Sequence, residues 1–291
     1  MISGLDLYTR TARRASARVI RDYSTSFGLA SRLLPGGVRA HIADVYALVR
    51  IADEIVDGPA AEAGLARADA RALLDALETE TAAAMARGFS ANLVVHAFAA
   101  TARKTGITGE LLRPFFASMR MDADGFGALD EPAYRAYIHG SAEVVGSMCL
   151  RAFAQERGGI AIDEGMEEGA RRLGAAFQKV NFLRDLVDDH RRLGRSYFPG
   201  VDPLAFSEGD KLRIVAEIDE DLTVARTALT RLPPASRRAT AAAAGLFGRL
   251  NDELRETPAS ELRTRRVSVR PAVKLRVLAG AIAGRSQAVR G

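Results

Sequence analysis

Apolar residues recur along most of this chain at intervals of three and four, and polar residues fill the positions between them. This spacing places the apolar side chains on one face of an α-helix, whereas the strict alternation that predicts strands is scarce. The periodic segments run for about 15–28 residues, which is a normal length for helices. Short breaks rich in glycine and proline separate them, at 35–37, 58–59, Gly88, 106–109, 125–132, 158–159, 194–203, 233–234 and Pro258. The pattern predicts an all-α fold, with a single domain over residues 1–291 that contains roughly ten helices and short connections.

The composition agrees with a helical core. Hydrophobic residues make up 48% of the 291 positions and aromatic residues only 6%, so good helix formers such as alanine and leucine dominate. The single cysteine, Cys149, lies in an apolar run, which predicts a small buried side chain and no disulfide framework. No segment approaches the roughly 18–20 uninterrupted apolar residues of a membrane-spanning helix, and no signal-peptide pattern opens the chain. We therefore expect a protein of the reducing cytoplasm.

The formal net charge is +5, with a pI near 9.6, and arginine supplies much of the excess. Arginines cluster between Arg10 and Arg21 and again between Arg263 and Arg276. A basic surface can attract nucleic acid, anionic lipid or an anionic substrate. The clusters are not interleaved with aromatic residues and contain no recognised nucleic-acid motif, so we expect no nucleic-acid partner. Solvated helix faces are the simpler interpretation of these arginines.

One predicted helix carries a polar stripe on an apolar body. If residues 46–57 are helical, Tyr46, Arg50, Asp53 and Asp57 fall within an arc of roughly 60°. The remaining faces are apolar almost all round, which predicts a buried, central helix. Buried charges require partners, because an isolated buried charge is very costly.

A second helix repeats this arrangement. Gln178, Asn181, Asp185 and Asp189 follow one another at intervals of three, four and four, again on one face of an apolar helix. Carboxylates at i and i+4 repel each other unless a cation lies between them. Carboxylate oxygens are also the ligands that Mg²⁺ takes, commonly together with substrate phosphates and waters. The two pairs therefore predict a site that binds divalent metal and a phosphorylated substrate, with Asp53, Asp57, Asp185 and Asp189 as the metal ligands.

Two extended motifs resemble the signatures of the squalene/phytoene synthase family, most closely in its bacterial phytoene synthases. They are Arg50-Ile-Ala-Asp53-Glu54-Ile-Val-Asp57 and Gln178-Lys-Val-Asn181-Phe-Leu-Arg184-Asp185-Leu-Val-Asp188-Asp189, the second followed by Gly194-Arg195-Ser196-Tyr197-Phe198-Pro199. The segment Tyr23-Ser24-Thr25-Ser26-Phe27 is also similar to the family, and the resemblance extends from about residue 15 to residue 275. It implies a helical bundle around a central apolar cavity, the isoprenoid-synthase type of fold.

The resemblance also implies roles for individual residues. The four aspartates would bind Mg²⁺, with Mn²⁺ as the alternative ion, between prenyl diphosphates, and Tyr137 would approach the reacting carbons. In the segment 137–146, small residues would face the prenyl tunnel. Arg195 and Tyr197 would support the site, and Arg266 would close over it. The residues expected to hold diphosphate oxygens are Tyr23, Ser24, Thr25, Ser26, Tyr46, Arg50, Gln178, Asn181 and Arg184.

The implied activity is a prenyl transfer in carotenoid biosynthesis. Two geranylgeranyl diphosphates would condense head to head, through a cyclopropyl diphosphate, to phytoene with release of diphosphate. Ser31 is small where relatives that use shorter chains are bulkier, which favours C20 substrates. No NADPH is expected, and a hydrophobic product suggests transient contact with a membrane surface. Phe247 stands where many relatives carry tyrosine, so no diphosphate contact is expected there.

Two alternatives remain open at this point. A C30 dehydrosqualene or squalene-type synthase that uses farnesyl diphosphate would share every metal ligand. A non-catalytic binding protein on the same fold would be expected to have lost aspartates, and all four are present. The histidines lack the spacing and carboxylate partners typical of zinc sites. Asp122 and Asp124, near a predicted helix end, are assigned no chemistry.

Overall fold

The computed structural model describes residues 2–282, without the side chains of Thr25, Ser26, Leu278 and Ile282. It contains fourteen α-helices in these residues, two of them single turns, and one π-helical turn; this is more than the ten expected, because several breaks contain short helices of their own. No β-strand occurs in the described range, which confirms the all-α prediction. The helices are α1 (Gly4–Tyr23), α2 (Thr25–Ser31), α3 (Gly36–Asp57), α4 (Pro59–Glu62), α5 (Arg67–Arg87), α6 (Leu93–Thr105), α7 (Gly109–Asp124), α8 (Glu131–Ile138), the π-helical turn (His139–Glu143), α9 (Val144–Phe153), α10 (Glu164–Leu193), α11 (Glu208–Leu229), α12 (Pro234–Glu256), α13 (Ala259–Leu262) and α14 (Pro271–Ile282).

Two large apolar clusters form most of the core. One joins α3, α5, α6, α7 and α9, with Phe98, Phe115 and Phe116 at its centre. The other joins α10, α11 and α12 to the segment that follows α10. The helices that carry the two acidic pairs, α3 and α10, belong to different clusters. The two stripes therefore come from separate parts of the core.

Helix α12 is fixed at both ends by buried charged side chains. The Nζ of Lys211 donates to the carbonyls of Arg255 and Thr257, at 2.9 and 2.7 Å, at the C-terminal end of α12. The carboxylate of Glu156 accepts hydrogen bonds from the backbone N–H groups of Ala235 and Ser236 at the first turn. These contacts satisfy backbone groups that a helix end leaves without partners. The helix is thereby held as one wall of the cavity described below.

The π-helical turn and α9 pack very closely between α7 and α10. A Cβ atom on Gly146 would overlap the Ala170 carbonyl, and one on Gly174 would overlap the Ala142 carbonyl. A Cβ on Gly140 would overlap the Pro114 carbonyl of α7. Only glycine permits this approach of backbones, so the small residues of segment 137–146 serve helix packing as well as cavity shape.

The chain reverses after α10 at Gly194, whose φ of 72° lies in the left-handed region that favours glycine. The next residues run back toward the loop that follows α7. Ser196 donates to the Gly127 carbonyl at 2.8 Å, and Leu129 donates to the Ser196 carbonyl at 3.3 Å, which forms an isolated parallel bridge between Ala128 and Ser196. This bridge fixes the backbone between Arg195 and Tyr197. Among residues 2–282, no helix combines the length and apolar composition needed to cross a membrane.

Candidate active site

A cavity of about 910 Å³ lies between α2, α3, α9, α10, α11 and α12. This volume is at the upper end of the roughly 300–1,000 Å³ typical of small-molecule sites. Its wall is mostly apolar, with Ser31 and Phe247 among the lining residues; the Phe247 ring stacks on Phe177 at 3.9 Å. The polar lining includes most of the residues expected to hold diphosphate: Tyr23, Ser24, Tyr46, Arg50, Gln178, Asn181 and Arg184. It also includes Asp53, an expected metal ligand, and Arg266, which is expected to close over the site.

Helix α3 presents the first acidic pair. The guanidinium of Arg50 lies 4.4 Å from the centre of the Tyr23 ring and forms an ion pair with Glu54. The pKa of Asp53 lies well above its usual range, first because the carboxyl is withdrawn from solvent and then because the charge of Asp57 lies beside it. The pair therefore carries an electrostatic strain that a bound cation would relieve.

Helix α10 presents the second pair in a different electrostatic setting. Burial alone would raise the pKa of Asp185, but hydrogen bonds from Arg184 and Arg266 lower it below its usual range. The distances are 3.0 Å from Arg184 Nε and 2.6 Å from Arg266 Nε to Asp185 Oδ1. Asp189 accepts one hydrogen bond, from the Tyr197 hydroxyl at 3.2 Å, and burial together with the charge of Asp185 raises its pKa to about 6.

Arg195 links the two helices. It is almost fully buried, and its Nη1 donates to Asp57 Oδ1 at 2.7 Å across a sequence separation of 138 residues. The Tyr197 ring stacks face to face on Phe182 of α10 with a centroid distance of 3.7 Å. The charge of Asp57 also contributes to the raised pKa of Asp189, so carboxylates of the two pairs lie within electrostatic range of each other. The fold thus brings the stripes of α3 and α10 together beside the cavity, which residues of both helices line.

Several expected site residues are not among those that line the cavity: Asp57, Asp185, Asp189, Tyr137, Arg195 and Tyr197. Tyr137 is buried in an aromatic cluster with Phe126, Phe182 and Tyr197, and its hydroxyl donates to Asp122. The side chains of Thr25 and Ser26, both expected to bind substrate, lie outside the described residues. Ser24 caps α2, since its Oγ accepts a hydrogen bond from the Phe27 N–H at 3.3 Å.

Asp122, to which the sequence analysis assigned no chemistry, contacts two of the expected site residues. Its side chain is buried, accepts from Tyr137 and lies 3.2 Å from Arg195 Nε. Burial raises its pKa to about 7, although the charge of Arg195 acts in the opposite direction. The sequence could have indicated that Asp122 is buried, because it shares one helix face with Phe115 and Met119. A carboxylate on an apolar stripe is unusual. Asp124, in contrast, is exposed and pairs with Arg71.

The donor set fits a divalent cation that is shared with a substrate. In the described range no three His, Cys, Asp or Glu side chains converge closely enough to hold a metal ion by themselves. Mg²⁺ is usually held by one or two carboxylates together with phosphate oxygens and waters, and two pairs of aspartates fit that requirement. The arginines nearby supply the charge that a diphosphate would need.

Comparison with known sequences agrees with this geometry. The sequence profile described as squalene/phytoene synthase matches residues 20–206. A 15-cis-phytoene synthase from Paracoccus sp. is 30% identical over 280 residues, which are 90% of this chain and 88% of the relative. A phytoene synthase from Mycobacterium tuberculosis is 28% identical over 211 residues, covering 72% of this chain and 62% of the relative.

Solved structures share the fold. A dehydrosqualene synthase in complex with a ligand has a TM-score of 0.76 at 19% identity, over 95% of this chain and 97% of that one. The squalene synthase HpnC from Alicyclobacillus acidocaldarius has a TM-score of 0.73 at 21% identity, over 86% and 95%. The profile and the 30% identical relative together cover most of the chain, including both acidic helices. The chain therefore belongs to the squalene/phytoene synthase family and is a prenyltransferase that acts on prenyl diphosphates.

Proposed function

We propose that the protein, as one catalytic domain over residues 1–291, condenses two geranylgeranyl diphosphates head to head to phytoene in carotenoid biosynthesis. The observation that carries the proposal is a large apolar cavity whose polar lining includes Asp53, Arg50, Arg184 and Arg266. The second acidic pair lies beside this lining, since Arg184 and Arg266 both donate to Asp185. The similarity to phytoene synthases over most of the chain supports it. The reaction releases two diphosphates and proceeds through a cyclopropyl diphosphate.

Each polar group has a role in this proposal. Asp53, Asp57, Asp185 and Asp189 would hold Mg²⁺, or Mn²⁺, which supplies Lewis-acid neutralisation of the diphosphate oxygens. Arg50, Arg184 and Arg266 would bind the remaining diphosphate charge. Arg184 and Arg266 contact Asp185 and also line the cavity, so both can turn from the carboxylate to an anionic substrate. The hydroxyls and amides expected to bind diphosphate would orient it: Tyr23, Ser24, Thr25, Ser26, Tyr46, Gln178 and Asn181.

The apolar wall would protect the carbon chemistry. Departure of diphosphate from the first substrate leaves an allylic cation, and the C2–C3 double bond of the second substrate attacks it. Loss of a proton closes the cyclopropane; departure of the second diphosphate, rearrangement and loss of another proton give the central triene. Water would quench these cations, so a wall formed by α9, α11 and α12 excludes it. Tyr137, Arg195 and Tyr197 would fix the site from behind.

The proposed preference for C20 over C15 substrates is inferred from Ser31. This residue is buried in the wall of the cavity, and its Oγ donates to the Gly28 carbonyl at 2.8 Å, so its polar atom is already satisfied. A Ser31→Phe substitution would fill space at this point. We expect the C20/C15 ratio of kcat/KM to fall by roughly 10- to 100-fold, the usual discrimination of a hydrophobic pocket for length. An unchanged ratio would contradict the assignment of Ser31.

The direct test is product analysis. Purified protein is incubated with Mg²⁺ and either geranylgeranyl or farnesyl diphosphate, with and without NADPH, and the hydrocarbons are identified by mass spectrometry. The proposal predicts phytoene from the C20 substrate, independent of NADPH. Use of the C15 substrate alone would favour the C30 synthases, to which the compared structures belong. Absence of turnover with both would favour a binding protein.

We also propose that the protein meets a membrane surface transiently, because the product is a long hydrocarbon. The arginines between Arg10 and Arg21 offer a basic surface for anionic headgroups. Co-sedimentation with vesicles of phosphatidylglycerol should exceed that with neutral phosphatidylcholine vesicles and should fall with salt. Equal sedimentation with both lipids would contradict an electrostatic contact.

A further inference from the structure

Asp122 holds two site residues together from the end of α7. Its side chain is only 3% exposed, and both of its carboxylate oxygens accept from the Tyr137 hydroxyl at 2.9 Å. Its Oδ1 also lies 3.2 Å from the Nε of Arg195. Because Tyr137 is itself buried, its hydroxyl fixes the orientation of the carboxylate toward Arg195.

Arg195 is shared between two carboxylates. Its Nη1 donates to Asp57, its Nη2 donates to the Val56 carbonyl at 3.4 Å, and its Nε faces Asp122. The guanidinium is 4% exposed, so water screens these interactions weakly. One guanidinium therefore interacts with two carboxylates, and its interaction with each carboxylate is weakened by the other.

This sharing matters for Asp57, whose side chain is 44% exposed and can reach a ligand. A guanidinium and a divalent cation compete for the oxygens of one carboxylate. At Asp185 the competing arginines line the cavity and can transfer to a substrate oxyanion. Arg195 lies behind the described part of the wall, so Asp122 is the anion available to it when Asp57 binds metal.

We propose that Asp122 is a positioning residue that draws Arg195 away from Asp57 and thereby keeps the first acidic pair available to a divalent cation. The inference rests on the proposed function, because it concerns cation affinity at the same site. Asp122 contacts neither the substrate nor the metal in this role; it acts through Arg195.

The test is direct metal binding. Mn²⁺ is titrated calorimetrically into the purified protein in the presence of inorganic diphosphate, at pH 8, above the pKa of about 7 of Asp122. Asp122→Asn keeps the shape of the side chain and an acceptor for Tyr137 but removes the charge. We expect the Kd for Mn²⁺ to rise roughly tenfold, the lower end of the range for residues that orient metal ligands. The matched control, Asp124→Asn at the end of the same helix, should leave the Kd unchanged.

The Arg195→Gln background separates positioning from a general structural effect. Arg195→Gln alone frees Asp57 and should tighten Mn²⁺ binding. In that background Asp122→Asn has no guanidinium to release, so it should change the Kd by less than about twofold. A purely structural role would give the same weakening in both backgrounds and would overturn the inference. If Asp122→Asn alone does not fold, weaker binding by Arg195→Gln than by the wild type would also overturn it.

The wild type distinguishes this inference from the proposed function. If it binds no Mn²⁺ with diphosphate and forms no hydrocarbon, both fail. If it binds Mn²⁺ and forms product while Asp122→Asn binds equally well, only the role of Asp122 fails.

Discussion

Asp189 in the active site and Asp44 between α1, α3 and α6 have the same raised pKa of about 6, and burial is the largest cause in both. Each also accepts a hydrogen bond from a hydroxyl, Asp189 from Tyr197 at 3.2 Å and Asp44 from Thr101 at 2.7 Å. A perturbed pKa alone therefore does not distinguish a site from a structural network.

The surroundings of the two carboxylates do distinguish them. Asp44 is the one carboxylate in a set of neutral or cationic groups, with Thr101, His41 and Arg13 around it. Because the Thr101 hydroxyl donates to Asp44, the Nδ1 of His41 must be the protonated nitrogen that donates to Thr101. Asp189 instead faces the charges of Asp185 and Asp57. This cluster of carboxylates beside a cavity is the feature that predicts a cation-binding site.

The largest expected effect concerns the acidic pairs themselves. In an Asp53→Asn/Asp185→Asn variant, phytoene formation from geranylgeranyl diphosphate should fall by about a thousandfold, because one ligand of each metal-binding pair is lost. Its thermal midpoint without metal should change little, because the removal of one repelling carboxylate from the first pair offsets the loss of the Asp185 ion pairs with Arg184 and Arg266. An Asp44→Asn variant should show the reverse pattern, with altered stability and retained turnover. Full turnover by the double variant would contradict the metal assignment.

The next effect is the pH dependence of stability around Asp44. The pKa of His41 is lowered to about 4 by burial, so its stabilising contribution is present above pH 6.5 and is lost as the pH falls through 4. The raised pKa of Asp44 acts in the opposite direction, because its contribution is complete below 3.8 and is lost as the pH rises through 6. In the wild type, the contributions of His41 and Asp44 to the pH dependence of the free energy of unfolding offset each other.

Single substitutions should separate the contributions of His41 and Asp44. Between pH 7 and 4.5 the free energy of unfolding of His41→Asn should rise by about 3 kcal/mol relative to the wild type, at about 1.4 kcal/mol per unit of pKa shift. That of Asp44→Asn should fall by a similar amount. Urea denaturation at several pH values measures both differences. If the free energy of unfolding changed with pH in parallel for all three proteins, the pKa shifts of both His41 and Asp44 would be contradicted.

The smallest effects come from the hydroxyl donors of the two regions. Thr101→Val leaves His41 and Asp44 without their buried partner and should lower the free energy of unfolding by about 2 kcal/mol with little change in turnover. Tyr197→Phe removes the hydrogen bond to half-buried Asp189 and should lower kcat/KM about fivefold, with a change in stability below about 1 kcal/mol. If both variants changed stability alike, the distinction between the two regions would fail.

Local patterns predicted the helices and the composition of the two stripes. Helical spacing was enough to place Tyr46, Arg50 and Asp53 on one face, and the apolar remainder of each helix indicated burial. These features depend on residues within one or two turns, for which sequence spacing and geometry correspond closely.

Long-range pairing could not be predicted in the same way. Nothing in local spacing indicates that Arg195 reaches Asp57, because that contact depends on how α10 turns at Gly194 and returns toward α3. Asp122 lies near a helix end as predicted, but it was assigned no chemistry because the buried face that it shares with Met119 was not considered. The roles assigned to the site residues remain predictions for the experiments above.

The close packing of Gly146 and Gly174 limits how this enzyme can change. Side chains cannot be added where the π-helical turn and α9 pack against α10 without separating these helices. Few substitutions are therefore tolerated along that wall. New chain-length preferences should therefore arise on the facing walls, around Ser31 and the alanines of α12. Mutagenesis that samples those positions and leaves this helix packing untouched has the best prospect of altered products from a folded enzyme.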